Sequence, residues 1–228
     1  MTLSRKLRLP AGMTQFVFMA VLCAAANAAS AQPCTCSGVS GVSGDGYAAL
    51  VDNGGIVTRA GEVLLPGQGG IALGDLDAIG LGTSVTSGWA NTVTTGAMGV
   101  QTVSAQTVSS LENVSILGGL ITAKFVNAVA SSTSNGTQSS SNTLGSVLTD
   151  LVVNGVPVGI GDVVPAPNTR MELPGLGYVL LNEQSSAGDG ITTSGVSVKM
   201  IHVVLLDALT GAKTGEIIVG SASSAATF

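Results

Sequence analysis

The chain of 228 residues is 45% hydrophobic, yet only 9% of it is charged and 3% aromatic, with 32 glycines, three cysteines, one tryptophan and one histidine. Soluble domains carry about 25% charged residues, so Ser, Thr, Asn and Gly must supply much of the polar surface here. A mean hydropathy of +0.54 argues against a disordered chain. Eight basic against thirteen acidic residues leave no patch to neutralise nucleic-acid phosphates, and a single histidine removes chemistries that need several.

Arg5, Lys6 and Arg8 form a positive region, followed by an apolar stretch from Phe16 to Ala26 and the small residues Ala29-Ser30-Ala31. This is the layout of a cleavable secretory signal over residues 1–31, with a mature start near Gln32. The apolar stretch is shorter than the ~20 residues of a membrane-spanning helix, and no later segment reaches that length. Beyond the leader stand five basic and thirteen acidic residues, a net charge of −8.

Residues 32–46 read as a flexible N-terminal arm, because Ser37–Gly46 (SGVSGVSGDG) has a linker composition. The arm carries Cys34 and Cys36. Their C-x-C spacing cannot staple a fold, and no second ligand pair exists to build a zinc site. In an oxidising compartment they either cross-link copies of the chain or form a strained local disulfide, or else they stay as thiols without a role.

From residue 47 onward Val, Thr, Ile, Leu and Ser dominate, punctuated by Gly, Asn, Asp and Pro. That pattern predicts an all-β domain over 47–228. Gly74–Leu81 is read as a possible short turn, and the uncharged stretch Ser131–Thr143 as an exposed loop or a solvated edge strand without core residues. In Leu151–Val158, Asn154-Gly155 predicts a hairpin turn with positive φ at both positions, and Pro157 places its arm at a sheet edge. Leu173-Pro174-Gly175-Leu176 predicts a type II turn. Near the C-terminus, Thr210–Gly215 separates strands at Val196–Leu206 and Glu216–Gly220. Strict alternation in the first of these puts Val196, Val198, Met200, His202, Val204 and Leu206 on one side. Ile201, Val203 and Leu205 make the other side apolar as well, so the strand is central and covered on both faces. Two packed sheets satisfy it, giving a single β-sandwich of jelly-roll-like type. A β-solenoid is the alternative, although no fixed repeat supports it.

His202, on a face shared with Val, Met and Leu, reads as a core histidine rather than a base in a cleft. No nucleophile elbow, phosphate loop or dinucleotide loop occurs, so no catalytic residue, enzyme activity or cofactor is expected. Asp75 and Asp77, with Asp45 and Asp189 in Gly-Asp-Gly turns, are weak calcium candidates without EF-hand spacing. The five aromatic residues beyond the leader are too few for the two girdles of an outer-membrane barrel.

The runs Ile116–Ala123 and Leu151–Val158 precede the stretch from Asn168 through Leu173-Pro174-Gly175-Leu176-Gly177 to Leu181-Asn182-Glu183-Gln184. Together with Val196–Leu206 and Glu216–Ala222, they make the chain resemble the bacterial choice-of-anchor P family of exported proteins. The resemblance covers roughly residue 90 to the end, and it implies a surface domain without transferable catalytic residues. With the cysteine arm and the weakly charged body, the expectation is an exported structural protein of the cell surface or extracellular matrix. It would form a homo-oligomer or fibre by strand addition or an intermolecular disulfide. The alternative is a monomeric secreted module for adhesion that binds carbohydrate or another partner.

Overall fold

The computed structural model describes residues Ser40–Phe228. The segment is built from strands, in chain order β1 (Gly41–Asn53), β2 (Ile56–Ala60), β3 (Val63–Leu64), β4 (Gly70–Leu76), β5 (Ile79–Leu81), β6 (Val85–Ser87), β7 (Ala90–Met98), β8 (Val103–Ile116) and β9 (Ile121–Ser134). There follow β10 (Ser139–Asn142), β11 (Val147–Thr149), β12 (Val152–Val153), β13 (Val156–Pro157), β14 (Asp162–Val163), β15 (Thr169–Leu173), β16 (Gly177–Gly188), β17 (Thr193–Leu206) and β18 (Lys213–Thr227). One 3₁₀ turn, Leu117–Gly119, joins β8 to β9.

The strands form two open antiparallel sheets, the all-β sandwich expected from the alternation; a solenoid is not what forms. The first sheet has the order β15-β16-β17-β18-β1-β2, with β3 also on β1. In the second, β4, β7, β8 and β9 are successive neighbours, while β10, β11 and β12 pair in turn along β9. Over the described residues the chain changes sheet twice, before β4 and before β15. Connections within each sheet are therefore more local than those of a jelly roll.

Turn chemistry acts where it was predicted. Asn154 and Gly155 have φ of 50° and 74° between β12 and β13, and β13 with Pro157 is the outermost strand of its sheet. The Leu176 N–H donates to the Leu173 carbonyl at 2.9 Å, closing the Pro174-Gly175 turn. Three other expectations need correction. Gly41–Gly46 belong not to a flexible arm but to β1, where each pairs with β18 from Thr227 to Ala222. Gly74–Leu81 lies mostly in β4 and β5 rather than in a turn. Ser131–Thr143 spans the end of β9 and all of β10, which is an edge strand as one of the two readings has it, but Ser132, Ser134 and Ser139 are buried in the interior.

The interior has two unlike halves. One is aliphatic: Leu111, Ile116, Ile121, Leu148, Leu151, Leu181, Met200, Ile201 and Ile217 are fully buried in one cluster. The other is built from Gly, Ala, Ser and Thr, and its hydroxyls bond across the gap between the sheets. Ser109 Oγ donates to the Tyr47 carbonyl at 3.1 Å, Ser132 Oγ to the Ser224 carbonyl at 3.0 Å, and Ser139 Oγ to the Thr193 carbonyl at 2.8 Å. In the reverse direction, Ser194 Oγ donates to the Thr133 carbonyl at 3.0 Å. Each bond uses the spare lone pair of a carbonyl on the opposing sheet. The approach is close enough that a Cβ on Gly46 would lie 2.7 Å from Thr107 Cγ2. Val42, Leu65, Val103, Ala105 and Ala226, with Phe228 against them, form a small apolar cluster in this half.

Between the halves, the inward-facing parity of the long strands reverses. In the first sheet Tyr47, Ser221, Lys199 and Glu183 form one cross-strand row, and Ala49, Val219, Ile201 and Leu181 form the next. Ala48, Gly220, Met200 and Asn182 lie between these rows without register partners. Asn182 and Gly220 adopt left-handed φ of 52° and 68°, which adds a residue and restarts the alternation. Val196, Val198 and Met200 thus face inward, and so do Ile201 and Val203. Asn113, at φ 52°, does the same opposite Lys124 in the second sheet.

Gly46→Val is expected to destabilise the fold by about 1–3 kcal/mol through overpacking between the sheets. Leu111→Ala should cost about 2–5 kcal/mol through lost burial and a cavity. Leu209→Ala, at an exposed turn, should change stability by less than about 0.5 kcal/mol. Urea unfolding of the three variants measures all of these effects.

Candidate functional site

The parity reversal decides where the single histidine goes. His202 does not share the face of Val196, Val198 and Met200, as unbroken alternation predicts. It lies on the opposite, outward side, level with Leu180, Ile218 and Leu50 on neighbouring strands. It is nevertheless only 7% exposed.

Charged side chains surround it in a line across β16, β17 and β18. Nδ1 of His202 lies 2.7 Å from Glu183 Oε2, and Nε2 lies 2.9 Å from Glu216 Oε2. Lys199 Nζ meets the same Glu183 oxygen at 3.2 Å, and Lys213 Nζ meets Glu216 Oε2 at 2.8 Å. The order Lys199, Glu183, His202, Glu216, Lys213 alternates in sign throughout. Beside it Tyr47, Leu50 and Ile218 form a small buried apolar group, and the Arg59 guanidinium lies 5.5 Å from the Tyr47 ring centre. Burial, the largest influence, raises the Tyr47 hydroxyl pKa.

Burial lowers the affinity of His202 for its proton, but the hydrogen bonds to Glu183 and Glu216 outweigh it and raise the pKa above 6.5. The His202 hydrogen bond lowers Glu183 to about 2 against the opposing effect of burial, with help from Lys199. Glu216 is also lowered to about 2 by its His202 bond, against burial and with Lys213 assisting. An imidazolium donating from both nitrogens has no lone pair with which to accept a proton. The arrangement pairs charge and stitches three strands together; it is not poised for acid–base work.

The motif Leu181-Asn182-Glu183-Gln184 sits at this junction, and each polar member has a defined contact. Asn182 is buried, and its amide donates to the Pro165 carbonyl at 2.8 Å while its oxygen accepts from Gln184 Nε2 at 2.8 Å. The Gln184 backbone N–H donates to Asn168 Oδ1 at 3.0 Å. Glu183 supplies the ionic contact described above.

A second feature lies on the outer face of the second sheet. Two cross-strand rows, Thr95-Gln106-Ser131-Asn142 and Ala97-Ser104-Thr133-Ser140, line an open groove of about 470 Å³. No charged side chain lines it, and Gln106 Nε2 donates to Ser131 Oγ at 2.9 Å. Sequence reasoning missed the groove because its residues come together only through strand register.

The calcium candidates are not brought together. Asp75 accepts a hydrogen bond from the Asn91 amide, Asp77 lies in the bend after β4, and Asp45 is exposed in β1. Asp189 orders the link from β16 to β17: its carboxylate accepts from the Thr192 hydroxyl and the backbone N–H groups of Ile191, Thr192 and Thr193. These bonds, led by the Thr192 hydroxyl, lower its pKa. Among the described residues no group of three or more His, Cys, Asp or Glu side chains could hold a metal ion. Cys34 and Cys36 lie outside the described residues.

His202→Ala is expected to cost about 1–3 kcal/mol, because it leaves two half-buried carboxylates facing each other. The loss depends on pH with a definite sign. The raised His202 pKa makes its contribution full below about 6.5 and lost as pH climbs through the folded-state value. The lowered Glu183 and Glu216 pKa values make theirs full above 4.5 and lost as pH falls towards about 2. Denaturation across a pH series should show the largest difference between wild type and variant from pH 4.5 to 6.5.

Comparisons with protein-family models, curated proteins and solved structures find no match to this chain.

Proposed function

We propose that the chain is an exported, non-enzymatic structural protein of the bacterial cell surface or extracellular matrix that assembles with copies of itself. Cys34 and Cys36 form the covalent part of the contact. The carrying observation is the position of β1. The cysteine segment leads directly into this strand, which is paired with β18 along its length and with β2 over Ala49–Asn53. A contact made upstream therefore transmits load into a thirteen-residue strand held from its first residue by the β18 ladder, rather than into a short terminal strand. Because Gly41–Gly46 are committed to β1, strand addition draws on residues 32–40. The basic-then-apolar leader and the resemblance to the choice-of-anchor P family support export, and the His202 ion line supports a durable body rather than a reactive one.

Electron microscopy of the protein purified from culture and surface fractions tests this reading, together with gels run with and without reductant. Fibres or reductant-sensitive oligomers that vanish in Cys34→Ser/Cys36→Ser are expected. Monomers alone in both fractions would contradict it.

One observation favours a second reading, a secreted binding module. The groove over Thr95, Gln106, Ser131 and Asn142 offers hydroxyl and amide groups without charge, which suits a neutral polyhydroxylated ligand such as an oligosaccharide. Titration calorimetry with neutral oligosaccharides should then show saturable binding that weakens in Gln106→Ala/Asn142→Ala. Absence of saturation in wild type removes this reading.

A further inference from the structure

An exposed sheet edge is a ready template for another strand, and proteins blunt such edges with charge, proline, short length or cover. Most edges of this sandwich are treated in that way. At the borders of the first sheet, β2 carries Arg59 paired to Glu62, and β15 carries Arg170 paired to Glu172. In the second sheet β13 is two residues long and contains Pro157, while β5 has three residues. The hydroxyls of Ser139 and Ser141 in β10 donate to the carbonyls of Thr193 and Gly195 in β17, which covers that edge.

β4 is the longest edge left untreated among the described residues; Ser185–Gly188 of β16 and Gly41–Ser43 of β1 are shorter open stretches. β4 runs for seven residues without Lys, Arg or Pro, and among the described residues it pairs with β7 alone. Among the described residues, Ile71–Leu76 make no backbone hydrogen bond beyond that ladder. Ile71 is 68% exposed and Leu73 61% exposed, and both stand on the outward side, opposite Thr95 and Val93 of β7.

We propose that this edge pairs antiparallel with the same edge of a second copy, giving a two-fold dimer in which the second sheet continues across both molecules. The sequence of the strand identifies the occupant. Gly70-Ile71-Ala72-Leu73-Gly74 is nearly palindromic in side-chain size, and a two-fold contact requires a surface that complements itself. Pairing centred on Ala72 sets Ile71 opposite Leu73 of the other copy, twice, and Gly70 opposite Gly74. Four large apolar side chains then cluster on one face as cross-strand neighbours. Asp75 falls opposite Gly69, so no carboxylates are brought face to face. The contact is independent of Cys34 and Cys36 and survives reduction.

Sedimentation equilibrium of the exported chain in reductant, from low micromolar to submillimolar concentration, tests the proposal. A monomer–dimer equilibrium is expected. Ile71→Lys and Leu73→Lys, made separately, should each raise the dimer dissociation constant by about tenfold or more. Leu209→Lys, in the exposed link between β17 and β18, should leave it unchanged. Thermal unfolding of the β4 variants should match wild type at concentrations where wild type is monomeric, since both side chains are exposed in the single chain. A wild-type chain that stays monomeric throughout would overturn the proposal and leave the edge to a different occupant. A dimer unaffected by both lysines would overturn it by placing the interface elsewhere.

Discussion

The close approach of the two sheets over half of the sandwich governs the rest of the structure. At Gly44 and Gly46 no side chain fits between β1 and the threonines of β7 and β8. Once the gap is that narrow, aliphatic side chains cannot fill it, and little buried area is available to hold the sheets together. Hydroxyls replace that area: Ser109, Ser132, Ser139 and Ser194 bond from one sheet to the backbone of the other. Among the described residues no buried side-chain nitrogen or oxygen is left without a partner, as a polar interior requires. The low charge and high Ser, Thr and Gly content thus describe half of the interior as much as the surface.

A hydroxyl-bonded half and an aliphatic half must meet within the same strands, and the reversal of parity lies at that boundary. Asn182 and Gly220 each occupy a left-handed conformation there, and Met200 and Ile201 both turn inward between them. The outward position that results receives His202, which would cost far more in an aliphatic interior. Glu183 and Glu216 hold its charge, while Lys199 and Lys213 balance theirs. The ion line is thus a consequence of the core's construction. It ties β16, β17 and β18 together directly beside the junction, where ladder pairing is interrupted.

Much of the fold was legible because it rests on local chemistry. Asn154-Gly155, Pro157 and Pro174-Gly175 each restrict the backbone within a few residues, and each acts as read. The central position of β17 followed from its unbroken apolar run. His202 was misplaced because alternation was carried straight through Met200; the warning signs were Asn182 and Gly220, turn-forming residues within apolar strands on either side. The buried serines were illegible for a different reason. Ser132 and Ser224 stand 92 residues apart, and only sheet packing makes partners of them. The groove on the second sheet was hidden likewise, since its two rows draw on β7, β8, β9 and β10. Nothing local distinguishes Ser131, which lines the groove, from Ser132, which faces the opposite sheet.

The hydroxyl-bonded half is as much a part of the cooperative fold as the aliphatic half. Residue-resolved native-state hydrogen exchange tests this most directly. Ladder amides of Gly41–Tyr47, Ser194–Val198 and Ser221–Ala226 should exchange only through global unfolding, with the same opening free energy as those of Ile201–Val204 and Ile217–Val219. Exchange of the first group through a lower-energy opening, while the second stays protected, would contradict it. The small-residue half would then be a loosely closed flap on an aliphatic core.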